Sequence, residues 1–356
     1  MARILVVDPV HPDLQAIATA GEEIRRGRLV AFPTETVYGL GAHAFDTAAI
    51  ERLFQAKGRP ATDPMIVHIA SVSQLDALAQ AVPAAARDLA LAFWPGPLTL
   101  VLSKRHVVPD SVTAGRPTVG VRVPAHPVAL ALLHSAGVPI AAPSANRFSR
   151  PSPTSAAHVL ADLQDAVDLV LDAGATPIGV ESTVLDLTMS PPVVRRPGGV
   201  TLERLLEVVP TVMSRADVYA DETPQPAPGQ LLRHYAPQHP LTLYVGTVDH
   251  LALRLSEDVR STVARGLKVG VLAPAEDLVL LAPRVAAVAA AGRVVTRRYG
   301  ARRDPPESAR DLFRALRELD AEDVDVILAV GPEPEGIGAA VIDRLTRAAE
   351  GRVVRA

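Results

Sequence analysis

The segment Thr34-Glu35-Thr36-Val37-Tyr38 places two hydroxyls, a carboxylate and a phenol directly after a short apolar run, Leu29–Phe32. Polar groups that follow a buried strand in this way are suited to holding a small polar ligand. Pro33 ends the run, and Gly39 and Gly41 would then allow a tight turn or a close approach to a ligand. A second group, Lys57-Gly58-Arg59-Pro60 with Asp63-Pro64 and His68, follows a helical pattern. Two cations there either complement the helix C-terminus or clamp a phosphate, Arg59 as a fork and Lys57 as a point charge. Lys57 is one of only three lysines, against 33 arginines, so it is conspicuous in this composition. Both cations lie past a helix end, which predicts that replacing either spares the fold. His68 alternates within an apolar strand and reads first as a satisfied core residue and only second as a ligand contact.

Two further segments repeat the pattern. Arg122 stands on one face of the apolar strand Val119–Val123, where an unpaired charge would be expensive. The run from Ile140 opens into Ser144 and Asn146, then Arg147, Arg150, Ser152 and Thr154, with Ser152 or Thr154 suited to cap the next helix. Ser182-Thr183 precedes another strand, and Arg195-Arg196-Pro197-Gly198-Gly199 follows the last one.

Strand and helix patterns must position these groups. Strands are expected at Leu29–Phe32, Met65–Ile69, Leu98–Leu102, Val119–Val123, Ile140–Ala142, Leu169–Asp172, Thr183–Leu187 and Val193–Arg195. Helices are expected at Asp13–Arg26, Thr47–Ala56, Ser73–Ala79, Pro83–Phe93, Pro127–Ser135, Thr154–Leu163 and Thr201–Val208. The alternation predicts an α/β sheet domain over residues 1–212. Residues 213–240 read as a Pro-rich linker. Residues 241–356 read as a small doubly wound domain with strands Leu241–Val245, Val269–Leu272, Arg293–Arg297 and Val324–Val330 and helices Val248–Arg265, Pro306–Leu319 and Gly338–Ala349.

A length of 356 residues fits about two domains. The 48% hydrophobic content is ample for their cores, and no run is apolar enough to span a membrane. With no cysteine there are neither disulfides nor thiolate zinc sites, and with no signal peptide a cytoplasmic location is expected. A net charge of -3 gives no global electrostatic case for nucleic acid.

The motifs PTETVYGLGA, KGRPxxxPxxxH, VGVRVP, SAN…SPT, GVESTVLD and RRPG, in this order, resemble the YrdC-like domain of threonylcarbamoyl-AMP synthases. His234-Tyr235-Ala236-Pro237 and the tail from Gly336 to Ala349 resemble the extra segments of the two-domain type. The resemblance implies a YrdC-like twisted open sheet followed by a small Rossmann-like domain. It implies a nucleotidyltransferase that joins L-threonine, bicarbonate and ATP, with Mg²⁺ and no prosthetic group, into L-threonylcarbamoyladenylate and pyrophosphate. A partner tRNA threonylcarbamoyltransferase then modifies the adenosine beside the anticodon, and a weak tRNA or RNA contact is conceivable.

Carried over by position, the resemblance puts threonine near Thr36, His68, Arg122, Ala142 and Ser182, with Thr34 in the same loop. It puts ATP near Lys57, Arg59, Asp63, Thr118, Ser144, Asn146, Ser152, Arg196 and Tyr235. Lys57 and Arg59 would carry catalysis, and Tyr235 would bring the linker over the nucleotide. Asp63 stands where Asn is common in the family, and Ser149 where Gly is usual. Two rival classes are an RNA-binding module, weakened by an aromatic content of 3%, and a hydrogenase-maturation carbamoyltransferase, whose cysteine zinc modules are absent here.

Overall fold

The computed structural model describes residues 2–214, 225 and 233–356. The linker expectation therefore falls mostly outside the described residues. The chain divides into two units: residues 1–148 with 152–231, and residues 149–151 with 232–356. No described helix is long and apolar enough to cross a membrane.

The strands of the first unit are β1 (Arg3–Val6), β2 (Val30–Pro33), β3 (Tyr38–His43), β4 (Ile66–His68), β5 (Leu98–Ser103), β6 (Thr118–Arg122), β7 (Ile140–Ala141), β8 (Leu169–Asp172), β9 (Thr183–Asp186), β10 (Val193–Arg196) and β11 (Met213–Ser214). They form one mixed sheet in the order β1-β8-β2-β3-β7-β4-β6-β5-β9-β10-β11. The helices are α1 (Leu14–Arg25), α2 (Thr47–Lys57), α3 (Leu75–Leu78), α4 (Ala84–Phe93), α5 (Asp110–Thr113), α6 (Pro127–Ala136), α7 (Ala156–Leu163) and α8 (Leu202–Val208).

Both faces of the sheet are covered, and the period of two is visible along β2. Val30 and Phe32 pack with Ile17 and Ile24 of α1 and Leu132 of α6, while Ala31 packs on the opposite face with Ile50 and Leu53 of α2. Helix ends follow local chemistry. Asp46 accepts hydrogen bonds from the Ala48 and Ala49 amides and starts α2, and Gly58, at φ +62°, ends it. Pro127 opens α6, and Gly137, at φ +67°, closes it.

The second unit has β12 (Leu241–Val245), β13 (Val269–Ala273), β14 (Val294–Arg298), β15 (Val326–Val330) and β16 (Val353–Arg355), with α9 (Val248–Ala264), α10 (Ala275–Ala289), α11 (Pro305–Asp320) and α12 (Gly338–Ala348). Its sheet is wholly parallel, in the order β14-β13-β15-β12-β16. The α/β class expected for both parts of the chain is what the structure has. The second sheet has five strands and four helices rather than four and three. Helix α10 escaped the sequence reading because Pro283 lies inside it, and an interior proline normally marks a break. β16 is three residues long, too short to show alternation.

The expected glycine turn is a second correction. Residues 38–43 are strand, paired antiparallel with β2, so Gly39 and Gly41 lie inside a hairpin arm. Gly41 permits close packing: a Cβ there would lie 2.9 Å from both Ile140 Cγ2 and Phe32 Cε1. Gly41→Ala should therefore destabilise the first unit by overpacking, by about 1–3 kcal/mol. Trp94, the single tryptophan, lies buried in that unit, so a denaturant titration followed by its fluorescence checks this. An unchanged midpoint would contradict the packing role.

Candidate active site

Arg122 ends β6 and is 3% exposed. Its guanidinium is tied on three sides: Nε donates to the Gly96 carbonyl (3.2 Å), Nη1 to Thr36 Oγ1 (3.0 Å) and Nη2 to Glu35 Oε1 (2.6 Å). The last contact is a buried ion pair, which answers the cost of an unpaired charge. Thr36 in turn is fixed by its hydroxyl on Thr34 Oγ1 (2.8 Å), and Thr34 donates to the Val37 carbonyl (2.7 Å). The loop after β2 thus reaches Arg122 across the two strands, β7 and β4, that separate β3 from β6. An arginine has five N–H groups, so two remain for a ligand carboxylate.

His68 ends β4 in register with Arg122. Ala142 follows β7, its amide donating to the Ile66 carbonyl (3.0 Å). Ser182 is fully buried before β9, its hydroxyl 2.8 Å from Thr99 Oγ1. Arg196, at the end of β10, donates through Nη2 to the Ser182 carbonyl (2.9 Å). Gly96 and Pro97 link these groups: Gly96 accepts from Arg122, and the Pro97 carbonyl accepts from the Thr183 amide (3.0 Å). Thr34, Thr36 and Arg122 thereby form one connected buried group with His68 in register beside Arg122, while Ser182 is tied to Thr99 and Arg196 and Ala142 follows β7.

The cation group differs from its sequence reading. Lys57 is the last residue of α2 and only 2% exposed, so it does not simply follow the helix into solvent. Its Nζ donates to the carbonyls of Ser144 (2.6 Å) and Asn146 (2.5 Å), pinning the loop after β7. The expectation that its replacement spares the fold is corrected accordingly. Burial first, and the charge of Arg59 second, push the Lys57 ammonium well below its usual pKa. Arg59 donates to the Pro64 carbonyl (2.7 Å) and pairs with Asp63 Oδ2 at 2.9 Å. Asp63 is fully buried, and Arg59 sits directly against its negative charge.

Ser144 donates to Asn146 Oδ1 (2.5 Å), and Asn146 Nδ2 donates to the Arg147 carbonyl (2.7 Å). Ser152 does not cap α7; Ser155 does, and the Ser152 hydroxyl is bonded to Glu181. Thr118 begins β6 opposite Ser103, four residues from Arg122 and so about 13 Å along the strand. Tyr235 lies in the second unit, fully buried at φ +60°, between the Phe313 ring (5.4 Å) and the Arg344 guanidinium (5.2 Å). In the same unit the Ala236 amide donates to the Ser149 carbonyl (2.7 Å), and Ser149 holds φ +66°, a conformation that suits the glycine usual there. The residue that the sequence reading left out of its sites is Glu35, although it lies between two chosen neighbours.

Burial, and secondarily Arg122, push the His68 imidazole down to about 3. It is therefore neutral at physiological pH and can only donate or accept hydrogen bonds. The unfolded chain takes up that proton near pH 6.5. Stability from this group is thus intact above about 6.5 and falls as pH drops toward about 3, by at most about 1.4 kcal/mol per pH unit. NMR titration of the His68 ring between pH 5 and 9 should show no inflection; a midpoint near 6.5 would contradict the buried neutral state.

Two family models match the chain in tandem: one described as telomere recombination over residues 22–198, and one described as threonylcarbamoyl-AMP synthase, C-terminal domain, over residues 200–350. A threonylcarbamoyl-AMP synthase from Pyrococcus abyssi is 45% identical over 344 residues, 95% of each chain. One from Bacillus subtilis is 42% identical over 98% of this chain and 97% of its own. The solved structure of P. abyssi Sua5 complexed with L-threonine matches with a TM-score of 0.89 at 44% identity, covering 99% of both chains. The H234A/Y235A form of P. abyssi Sua5 matches with a TM-score of 0.90 at 43% identity, covering 100% of this chain and 98% of that one. With buried hydroxyl, imidazole and guanidinium groups gathered in its first unit and relatives matched end to end, the chain belongs to the threonylcarbamoyl-AMP synthase family.

Proposed function

We propose that the chain forms L-threonylcarbamoyladenylate and pyrophosphate from L-threonine, bicarbonate and ATP. The product would serve a tRNA threonylcarbamoyltransferase acting beside the anticodon, in the cytoplasm. The observation that carries this reading is the connected buried group of Thr34, Thr36 and Arg122 with His68 in register beside it, in a fold matched end to end by a relative solved with L-threonine.

In this reading the two spare N–H groups of Arg122 take the threonine carboxylate as a fork. Thr34, Thr36, Ala142 and Ser182 shape the pocket, and neutral His68 adds a hydrogen-bonding ring without adding charge. The threonine nitrogen, once its ammonium has lost a proton to solvent, attacks the bicarbonate carbon, and a C–O bond of bicarbonate breaks with loss of water to give a carbamate. A carbamate oxygen then attacks the α-phosphorus of ATP, and the bond to the bridging oxygen breaks as pyrophosphate leaves. Such a step needs alignment and neutralisation of oxygen charge more than covalent help. Lys57, Arg59 and Arg196 supply that neutralisation, with Asp63, Thr118, Ser144, Asn146 and Ser152 bordering the nucleotide. Mg²⁺ enters with the phosphates as part of the substrate MgATP.

An ammonium has three N–H groups, and Lys57 has given two to carbonyls, so one is left for a phosphate oxygen. The triphosphate's negative charge favours the ammonium form and opposes the desolvation it suffers without ligand. Lys57→Ala should lower pyrophosphate release by about 2–4 kcal/mol of transition-state stabilisation. It should also lower the melting temperature, because two buried carbonyls lose their donor. Wild-type turnover in this variant would refute the assignment.

The function itself is tested by measuring pyrophosphate release with each substrate omitted in turn. Release should require L-threonine, bicarbonate and ATP together. Release from ATP alone at the same rate, or none with all three, would overturn the proposal. Arg122→Lys keeps the charge and loses the fork, so calorimetry should show threonine affinity lowered at least about tenfold, or about 1.4 kcal/mol. An unchanged affinity would sink the bidentate contact.

A further inference from the structure

Glu35 is 7% exposed, and among the described residues only one of its two carboxylate oxygens has a hydrogen-bond partner. Oε1 accepts from Arg122 Nη2 at 2.6 Å. Oε2 is buried and has no hydrogen-bond partner among the described residues. A buried carboxylate oxygen without a donor is costly, and such atoms in native proteins call for a reason. The charged and titratable neighbours of Glu35 are Arg122, by direct contact, and His126, whose ring feels the carboxylate's charge. His126 Nδ1 accepts from the Val128 amide as a helix cap, so that nitrogen is not the missing donor.

We propose that Glu35 Oε2 is the acceptor for the ammonium group of the amino-acid substrate. The inference rests on the reading of Arg122 as the carboxylate-binding residue. An α-amino acid carries its ammonium and carboxylate one carbon apart. The Arg122–Glu35 pair is a matching antiparallel couple, cation and anion 2.6 Å apart. Laid side by side, the two pairs alternate in sign around a closed ring: ammonium, Glu35, Arg122, carboxylate. Each charge then has two opposite neighbours, and the ring is neutral as a whole.

This explains why a pocket for an anionic group keeps a carboxylate in contact with its own arginine. An isolated buried arginine would bind any anion of suitable size. The coupled pair favours zwitterions and disfavours acids with no donor on the α-carbon, such as 3-hydroxybutanoate, which would leave Oε2 buried and unsatisfied. A group that must hydrogen-bond a substrate donor rejects the analogue lacking it far more strongly than a hydrophobic pocket rejects a missing methyl. The contact also fixes the direction of the nitrogen that has to meet bicarbonate.

The test compares L-threonine with 3-hydroxybutanoate, the same molecule without its amine, by calorimetry on the full chain. Wild type should bind threonine at least about tenfold more tightly. Glu35→Gln can keep the contact from Arg122 to its carbonyl oxygen, while its NH₂ then faces the ammonium donor to donor. It should lose threonine affinity at least about tenfold while binding 3-hydroxybutanoate at least as tightly as wild type does, because the arginine is then less compensated. Equal loss of both ligands would mean that Glu35 acts only through Arg122 and would overturn the proposal. Unchanged threonine affinity would overturn it as well. Wild type that binds no threonine would refute the underlying reading itself. If Glu35→Gln does not fold, Glu35→Asp keeps the charge one methylene short and should weaken threonine selectively by the same comparison; no selective loss there overturns the proposal.

Discussion

A guanidinium held inside a sheet is the constraint around which the first unit is arranged. Arg122 can be buried only if its charge and its N–H groups are answered, and the answers come from three separate pieces of chain. Glu35 supplies the charge, Thr36 an oxygen, and Gly96 a carbonyl. These contacts draw the β2–β3 loop and the segment before β5 to the end of β6. The glycine hairpin serves the same end, because Gly41 lets Phe32 and Ile140 close over the strand behind that loop. Removing one partner of such a pair is far worse than never having built it, since the other is left charged and buried.

The other candidate cations follow the same rule with a different currency. Lys57 and Arg196 lean chiefly on main-chain carbonyls, and Arg59 on carbonyls and Asp63. Carbonyls fix the direction of the Lys57 ammonium without themselves carrying a full charge. In the proposed reaction, cations already oriented in this way would leave little reorganisation to the moment of phosphoryl transfer. The bonds from Lys57 to the Ser144 and Asn146 carbonyls tie down the loop after β7, so Lys57 belongs to the fold as well as to the proposed site.

Much of this was legible in the sequence. Arg122 in an apolar strand announced a buried partner, and the ordered motifs around Thr34, Lys57, His68 and Ser182 announced the family. What stayed hidden depends on contacts between distant segments. Nothing in Glu35 itself distinguishes a solvated loop carboxylate from the partner of Arg122, 87 residues away. Lys57 looked like a helix terminus because its two carbonyl acceptors lie 87 and 89 residues downstream. β3 was masked by its glycines, which read as a turn until Phe32 and Ile140 are seen pressing against them. Helix α10 was masked by Pro283, since local propensity says stop where packing of Leu281 and Val285 carries the helix through.

In the proposed site Arg122 and Glu35 receive an amino acid as a preformed pair. A crystal structure of the full chain with L-threonine tests it most directly. The threonine carboxylate should lie on Arg122, with Glu35 still within hydrogen-bond distance of Nη2 and its second oxygen on the threonine nitrogen. Threonine bound away from Arg122, or bound there with Glu35 swung out of contact, would contradict it.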